Sequence, residues 1–209
     1  MKIVIFDMDG TLLDSKQDIT ASVNHVREIN HNLSPLSEDF IVEAINMQDR
    51  NLAKLFYDTQ IYHRRDRDIF ESHYETECIK NVYLYDGVKE MLKALVSSNV
   101  KISVATNAPT QFALRMLEHL KVKPFFDLII GADKVINSKP SPEMLNVILD
   151  NYGFDKKNHK AWMVGDNTKD ILSARSAQIE PIFATWGFSK KGEADVIAKR
   201  PSEVLDIVL

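Results

Sequence analysis

A single cysteine, Cys78, stands in 209 residues, so no internal disulfide can form, and no Cys/His cluster with zinc-ligand spacing surrounds it. That usage suits a reducing, cytoplasmic interior, and nothing near Cys78 signals a reactive thiol. A basic excess is missing too. The chain holds 26 Lys and Arg against 30 Asp and Glu, for a formal net charge of -4 and a pI near 5.9. Such a balance gives no positive field for a nucleic-acid backbone. The apolar run Ile3–Phe6 near the start is far too short for a signal peptide or a membrane span. The six histidines (His25, His31, His63, His73, His119, His159) lack the paired spacing on one helix face that makes a metal site, and read as surface or packing residues. Glycine and proline are scarce, at seven each, which argues against fibrous and low-complexity chains. What remains, 44% hydrophobic and 27% charged residues, is the composition of a chain that folds around a core. Its length fits one domain, or a main domain with a smaller insert.

The pattern along the chain favours the insert. Ile3-Val-Ile-Phe6 is a continuous apolar, β-rich run ended by Asp-x-Asp-Gly, the signature of a buried parallel strand entering a turn. From Ser15 to Tyr85 there is no glycine and only Pro35, while Ile19, Val23, Val26 and then Phe40, Ile41, Ala44, Ile45 recur at helical spacing. After Asp86-Gly87 the segments alternate. Helices are predicted over Val88–Ser98, Thr110–Lys121, Pro142–Asn151 and Lys169–Ala177. Strands are predicted over Lys101–Ala105, Asp127–Ile130, Ala161–Val164 and Pro181–Ala184. Repeated βα units mean a parallel sheet covered on both faces. The expected fold is therefore α/β, with a doubly wound core formed by residues 1–14 and 86–209 and an α-helical insert over 15–85.

In such sheets ligands bind beyond the carboxyl ends of the strands, and there the sequence concentrates its chemistry. The first strand ends in Asp7-Met-Asp9-Gly-Thr11, the next in Thr106-Asn107; a later loop holds Lys139-Pro140, and another strand ends in Gly165-Asp166, followed by Asp170. Asp7, Asp9, Asp166 and Asp170 together need a cation, because each close pair of like charges costs several kcal/mol, on the order of 4 at 4 Å in an intermediate dielectric. Oxygen-only ligands and an anionic substrate fit Mg²⁺. Lys139 adds a point charge able to meet both a phosphoryl oxygen and a carboxylate. A carboxylate can act as nucleophile in phosphoryl transfer, and Asp7 is the candidate. Asp9, two residues on, can protonate the leaving alkoxide and then deprotonate water. The Thr106 hydroxyl adds a donor for the transferring oxygens.

These residues resemble the four motifs of haloacid dehalogenase-superfamily hydrolases, in order: Asp7-Met-Asp-Gly-Thr-Leu-Leu-Asp-Ser15, Val104-Ala-Thr-Asn107, Lys139-Pro-Ser-Pro142 and Val164-Gly-Asp-Asn-Thr-Lys-Asp170. The resemblance implies a Rossmann-like core, Asp7 as nucleophile and Asp9 as acid/base. It implies Mg²⁺ held by the Asp7 carboxylate, the Asp9 backbone carbonyl and Asp166 with Asp170 in support, and a phosphoryl group bound by Thr106 and Lys139. The helical insert corresponds to the family's C1-type cap, which selects substrate. Tyr85-Asp-Gly-Val88, Thr106-Asn-Ala-Pro109 and Ala184-Thr-Trp-Gly187 look most like phosphoglycolate phosphatases. The cap departs from them: Asn46-Met-Gln-Asp-Arg-Asn51 stands where a Gly-bearing loop is usual. Asn107 is a further candidate for substrate binding, and Arg50 for a second anionic group of the substrate, such as a carboxylate. The partner expected is a small phosphorylated metabolite, with no nucleic acid and no membrane, for a monomer or homodimer.

Each signal has a plainer reading. Asp-x-Asp-Gly marks many polar turns, Asp166 and Asp170 could cap a helix, Thr106 could be a turn residue and Lys139 a solvated loop lysine. Trp162 and Trp186 read as core and loop packing. The joint occurrence of the motif residues at successive strand ends favours a site over those readings. A phosphosugar mutase or a pyrophosphatase would use the same core and a similar cap, and a signalling phospho-acceptor also gathers carboxylates, a Thr and a Lys around one Asp. Motif order speaks against the phospho-acceptor.

Overall fold

Ile3, Val4, Ile5 and Phe6 are all fully buried, so strand β1 (Lys2–Phe6) has both faces covered, as a continuous apolar run requires. In the computed structural model, which describes residues 1–47, 50–189, 192 and 194–209, contacts divide the chain into two units. One comprises Met1–Asp14 with Leu84–Leu209, the other Ser15–Tyr83. Two short strands, β2 (Leu13–Asp14) and β3 (Tyr83–Leu84), lie where the chain crosses between them.

The first unit is built on a six-stranded parallel sheet of β1, β4 (Lys101–Thr106), β5 (Leu128–Gly131), β6 (Lys160–Gly165), β7 (Glu180–Ala184) and β8 (Val196–Ala198), in the order β5-β4-β1-β6-β7-β8. The chain builds outward from β1 in one direction and then returns to build in the other. β1, between β4 and β6, is therefore the topological switch point, where the crevice of an open α/β sheet lies. Its register sets Phe6 against Val104 on one side and Val164 on the other. The three strand ends that carry Asp7, Thr106 and Asp166 thus stand side by side.

Helices α5 (Val88–Ser97), α6 (Thr110–His119), α7 (Glu143–Asn151), α8 (Thr168–Ser176) and α9 (Pro201–Val208) complete this unit. Ile3, Ile5, Ala105, Ala161 and Met163 of the sheet pack with Met144, Leu145, Ile148 and Leu149 of α7 and Ala174 of α8. The i, i+1, i+4, i+5 spacing along α7 makes that face continuous, and full burial of each large aliphatic stabilises by about 1.5–3 kcal/mol. Every core helix and strand predicted from the sequence is present, with ends shifted by a residue or two. β8 and α9 were not anticipated. A three-residue strand shows no periodicity, whereas Pro201 at the start of α9 is a helix-entry signal that could have been used.

The second unit is helical: α1 (Lys16–His31), α2 (Glu38–Asn46), α3 (Leu52–Tyr57) and α4 (Arg64–Glu77). α1 packs on the other three, around Val23, Val26, Ile41, Ala44, Phe56 and Tyr57. Its buried charges are partnered: Asp18 accepts from Asn81 N and Nδ2 at 3.1 and 2.7 Å, and Asp66 pairs with His31 Nε2 at 2.6 Å. Among the described residues no helix is long and apolar enough to cross a membrane.

One helix start depends on a distant residue. Pro109 occupies the N-cap of α6 and offers no side-chain bond. Asp133 supplies the cap instead, accepting from Thr110 N at 2.6 Å and Thr110 Oγ1 at 2.7 Å. Burial pushes the Asp133 carboxyl up, but the Thr110 bonds outweigh it and hold the group below its ordinary value. A depressed carboxyl contributes stability that is present above its unfolded-state pKa and is lost as pH falls through the folded value. Asp133→Ala is expected to cost about 0.5–2 kcal/mol near neutrality. Urea titrations across pH should show the gap to wild type closing as pH drops below the ordinary carboxylate range.

Candidate active site

Asp7 follows β1 directly, its N–H still continuing the ladder to Val164 O at 2.8 Å. That bond fixes the backbone on which the carboxylate stands. Asp7 is 8% exposed; Oδ1 accepts from Lys139 Nζ at 2.6 Å, and Oδ2 has no hydrogen-bond partner among the described residues. Lys139 is 4% exposed, and its ammonium donates in three directions: to Asp7, to Asp170 Oδ1 at 2.7 Å and to the carbonyl of Ala105 at 2.7 Å. Burial works to lower its pKa, but the Asp170 and Asp7 carboxylates prevail and hold it above the ordinary lysine value. The group therefore stays an ammonium at neutral pH.

Asp170 lies in the first turn of α8 and forms a capping box with Asn167, whose N–H it receives on Oδ2 at 3.1 Å. Burial raises its pKa while Lys139 opposes that rise. Asp166, at the end of β6, is 1% exposed. Its Oδ2 accepts from Phe188 N and Ser189 N at 2.7 and 3.1 Å, and Oδ1 from Thr11 Oγ1 at 3.3 Å. Burial, then the charges of Asp7 and Asp170, push its carboxyl well above the usual range. An anion so placed calls for a cation beyond Lys139.

The donor set suits a hard divalent ion. Asp7, Asp166 and Asp170 each present a carboxylate oxygen within 4.8 Å of the others, all three buried, and among the described residues this is the grouping that could hold a metal. All donors are oxygen, which matches Mg²⁺. Asp170 is already committed to Lys139 and Asn167, so Asp7 and Asp166 are the side chains that would hold the ion, with Asp170 in support.

Asp9 is half-buried in the turn after β1, where it bridges to Leu13 and Gly10 N donates to Leu13 O at 2.9 Å. Gly10 has a φ of +83°, and a Cβ there would lie 2.5 Å from Asp166 Oδ2; no larger residue fits. A Cβ on Gly187 would collide with the Gly10 carbonyl. The 185–189 segment thus lies directly on the Asp7–Thr11 turn, and Trp186 Nε1 donates to Thr11 O at 2.9 Å. Trp186, Gly187 and the Phe188 and Ser189 amides are site-building groups that sequence reasoning missed. The sequence places Trp186-Gly187 in a family-like segment and reads Trp186 as loop packing, whereas its indole bonds the turn after β1.

Thr106, 1% exposed, accepts from Ala108 N at 3.1 Å, and its own proton has no acceptor among the described residues. Asn107, expected to meet substrate, donates from Nδ2 to Lys139 O at 2.9 Å and accepts on Oδ1 from Lys139 N at 3.0 Å. Both ends of its amide are used on the backbone of Lys139, so its side chain positions the lysine. Arg50 belongs to the helical unit. Its Nη1 donates to the carbonyls of Ile45 and Met47 at the end of α2, and burial lowers its pKa. In the cap run Asn46–Asn51, Gln48 and Asp49 lie outside the described residues. Cys78 is buried.

Removing Lys139 would leave Asp7 and Asp170 buried without their partner, a loss that typically costs about 3–5 kcal/mol. Lys139→Ala should therefore lower the urea midpoint sharply in EDTA, and Mg²⁺ should restore part of the loss.

Known proteins resemble this chain in sequence and in fold. The haloacid dehalogenase-like hydrolase family model matches residues 4–184. An N-acetylmuramic acid 6-phosphate phosphatase of Pseudomonas aeruginosa is 28% identical, over all of this chain and 95% of its own. A phosphoglycolate phosphatase of Colwellia psychrerythraea is 30% identical, over 90% of this chain and 86% of its own. Among solved structures, a predicted phosphoglycolate phosphatase from Haemophilus somnus superimposes with a TM-score of 0.85 at 25% identity, covering 99% of this chain and 97% of that one. With motifs, fold and matched length in agreement, the chain belongs to the haloacid dehalogenase-like hydrolases and is an enzyme of their phosphatase branch.

Proposed function

We propose that the protein is a Mg²⁺-dependent phosphomonoester phosphatase that passes a phosphoryl group through Asp7 to water. The observation that carries this reading is the Asp7 carboxylate itself: it stands at the switch point, one oxygen on Lys139 and the other without a hydrogen-bond partner among the described residues. In the first step an Asp7 oxygen bonds to phosphorus as the bond to the leaving alkoxide breaks, and Asp9 gives that alkoxide its proton. In the second, Asp9 takes a proton from water, the water oxygen bonds to phosphorus, and the Asp7–phosphorus bond breaks to release inorganic phosphate. Thr106 donates its hydroxyl proton to a phosphoryl oxygen, and Lys139 offsets the charge that develops. Bound Mg²⁺, held by Asp7, Asp166 and the Asp9 backbone carbonyl, would supply charge neutralisation at the carboxylates and the phosphoryl oxygens.

Residues 15–85 act in this reading as a C1-type cap that selects the substrate. For the substrate we infer 2-phosphoglycolate, supported by the names of several relatives. Among the described residues Arg50 uses Nη1 to close α2 and keeps Nε and Nη2, a fork suited to a second carboxylate. The Pseudomonas relative named for N-acetylmuramic acid 6-phosphate makes that sugar phosphate the second candidate. A phosphosugar mutase or a pyrophosphatase would share the core, and would show itself by isomerised product or by preference for pyrophosphate. A cytoplasmic setting is inferred with the function, on the lone buried cysteine.

The test is phosphate release from 2-phosphoglycolate, N-acetylmuramic acid 6-phosphate, hexose phosphates, nucleotides and pyrophosphate, with Mg²⁺ or EDTA. Release is expected to require Mg²⁺ and to be fastest with 2-phosphoglycolate. Asp7→Asn should abolish turnover while leaving the far-ultraviolet spectrum unchanged, and a near-normal rate in that variant would sink the mechanism. Asp9→Asn should slow turnover at least about 10²-fold.

A further inference from the structure

Lys139 reaches the site on the long connection from β5 to α7, and little apolar burial holds the outer part of that connection. Ile136 is 92% exposed, and Asn137 is exposed as well. What ties the segment down is a carboxylate. Glu143, the first residue of α7, accepts from Ile136 N on Oε1 at 2.8 Å and from Asn137 N on Oε2 at 2.9 Å. Asn137 Nδ2 adds a third donor at 3.3 Å. Inside the span so closed, Ser141 N donates to Ser138 O at 3.0 Å, making the turn on which Lys139 sits.

We propose that Glu143 is a positioning residue for Lys139, setting the direction in which its backbone sends the ammonium into the carboxylate cluster. The role of Lys139 in turnover rests on the phosphatase reading above. Asn107 holds the amide and carbonyl of Lys139 itself, but contacts at one residue leave the chain free to pivot about it. Glu143 removes the pivot by fixing the residues two and three positions earlier. The ammonium must meet three acceptors at 2.6–2.7 Å, and a buried lysine that swings by even an ångström cannot keep all three. The Ile136 bond, followed by those from Asn137, holds the Glu143 carboxyl below its ordinary value, consistent with bonds made to the charged form. Because Ile136 and Asn137 are exposed, water can satisfy their N–H groups when the carboxylate is lost, so the fold survives and only the aim of Lys139 changes.

Glu143→Gln tests this with minimal change of shape, since one acceptor oxygen becomes an NH₂ group facing an N–H donor. Two readouts are taken on the full chain with Mg²⁺. The first is steady-state hydrolysis of p-nitrophenyl phosphate. The second is the ¹⁵N-lysine ammonium resonance of Lys139, assigned by its absence in Lys139→Arg and slow to exchange in the wild type. The variant should lose about 10- to 100-fold in kcat, the scale of a misplaced catalytic group, with KM changed less. Its ammonium resonance should broaden into exchange with water, while the urea midpoint stays near that of wild type. A kcat within about twofold of wild type would overturn the inference, as would an unchanged ammonium resonance. If the wild type hydrolyses nothing, the phosphatase reading fails separately, and the ammonium resonance still decides whether Glu143 aims Lys139.

Discussion

The site depends on one buried ammonium. Lys139 meets Asp7, Asp170 and the Ala105 carbonyl at once, and without it the carboxylates beyond β1 and β6 would face one another through a medium that screens them poorly. Its charge offsets part of the cost of burying the Asp7 and Asp170 carboxyls. Three carboxylates against one ammonium still leave the arrangement two positive charges short, and burial beside Asp7 and Asp170 pushes the Asp166 carboxyl up. That residual demand is the physical basis for expecting a divalent cation.

Several elements exist to keep that balance in place. β1 at the switch point lines up three strand ends, so Asp7, Thr106 and Asp166 come together by topology rather than by long reach. The capping box at α8 orients Asp170, so a helix start serves as a support for the site. The 185–189 segment holds Asp166 through two amides and the Thr11 carbonyl through Trp186. On the opposite side, Asn107 holds the backbone of Lys139. The close approach of Gly187 to Gly10 shows how little slack is left.

Much of this was legible beforehand. The run Ile3–Phe6, the βα alternation after Gly87 and the glycine-free helical stretch are local patterns, and the structure has the corresponding sheet and helices. Asp7, Thr106, Lys139, Asp166 and Asp170 could be picked out because they follow predicted strands or sit in a recognisable motif. Trp186 could not, since an indole that donates to a distant carbonyl looks no different in sequence from one that packs. The bonds of Asn107 to the Lys139 backbone were not legible either, since that partner lies 32 positions along the chain.

By itself the sequence determined the chemical types at each strand end, the α/β class and the order of the motifs, because these follow from periodicity and from residue identity. Only the tertiary structure decided who holds whom: that Lys139 bridges two carboxylates, that Asn107 serves the lysine, and that Asp133 caps a helix whose own start is a proline. Such pairings join residues far apart in the chain. Their partners are chosen by where the sheet and its connections bring backbones together, and no local pattern of residues encodes that distance.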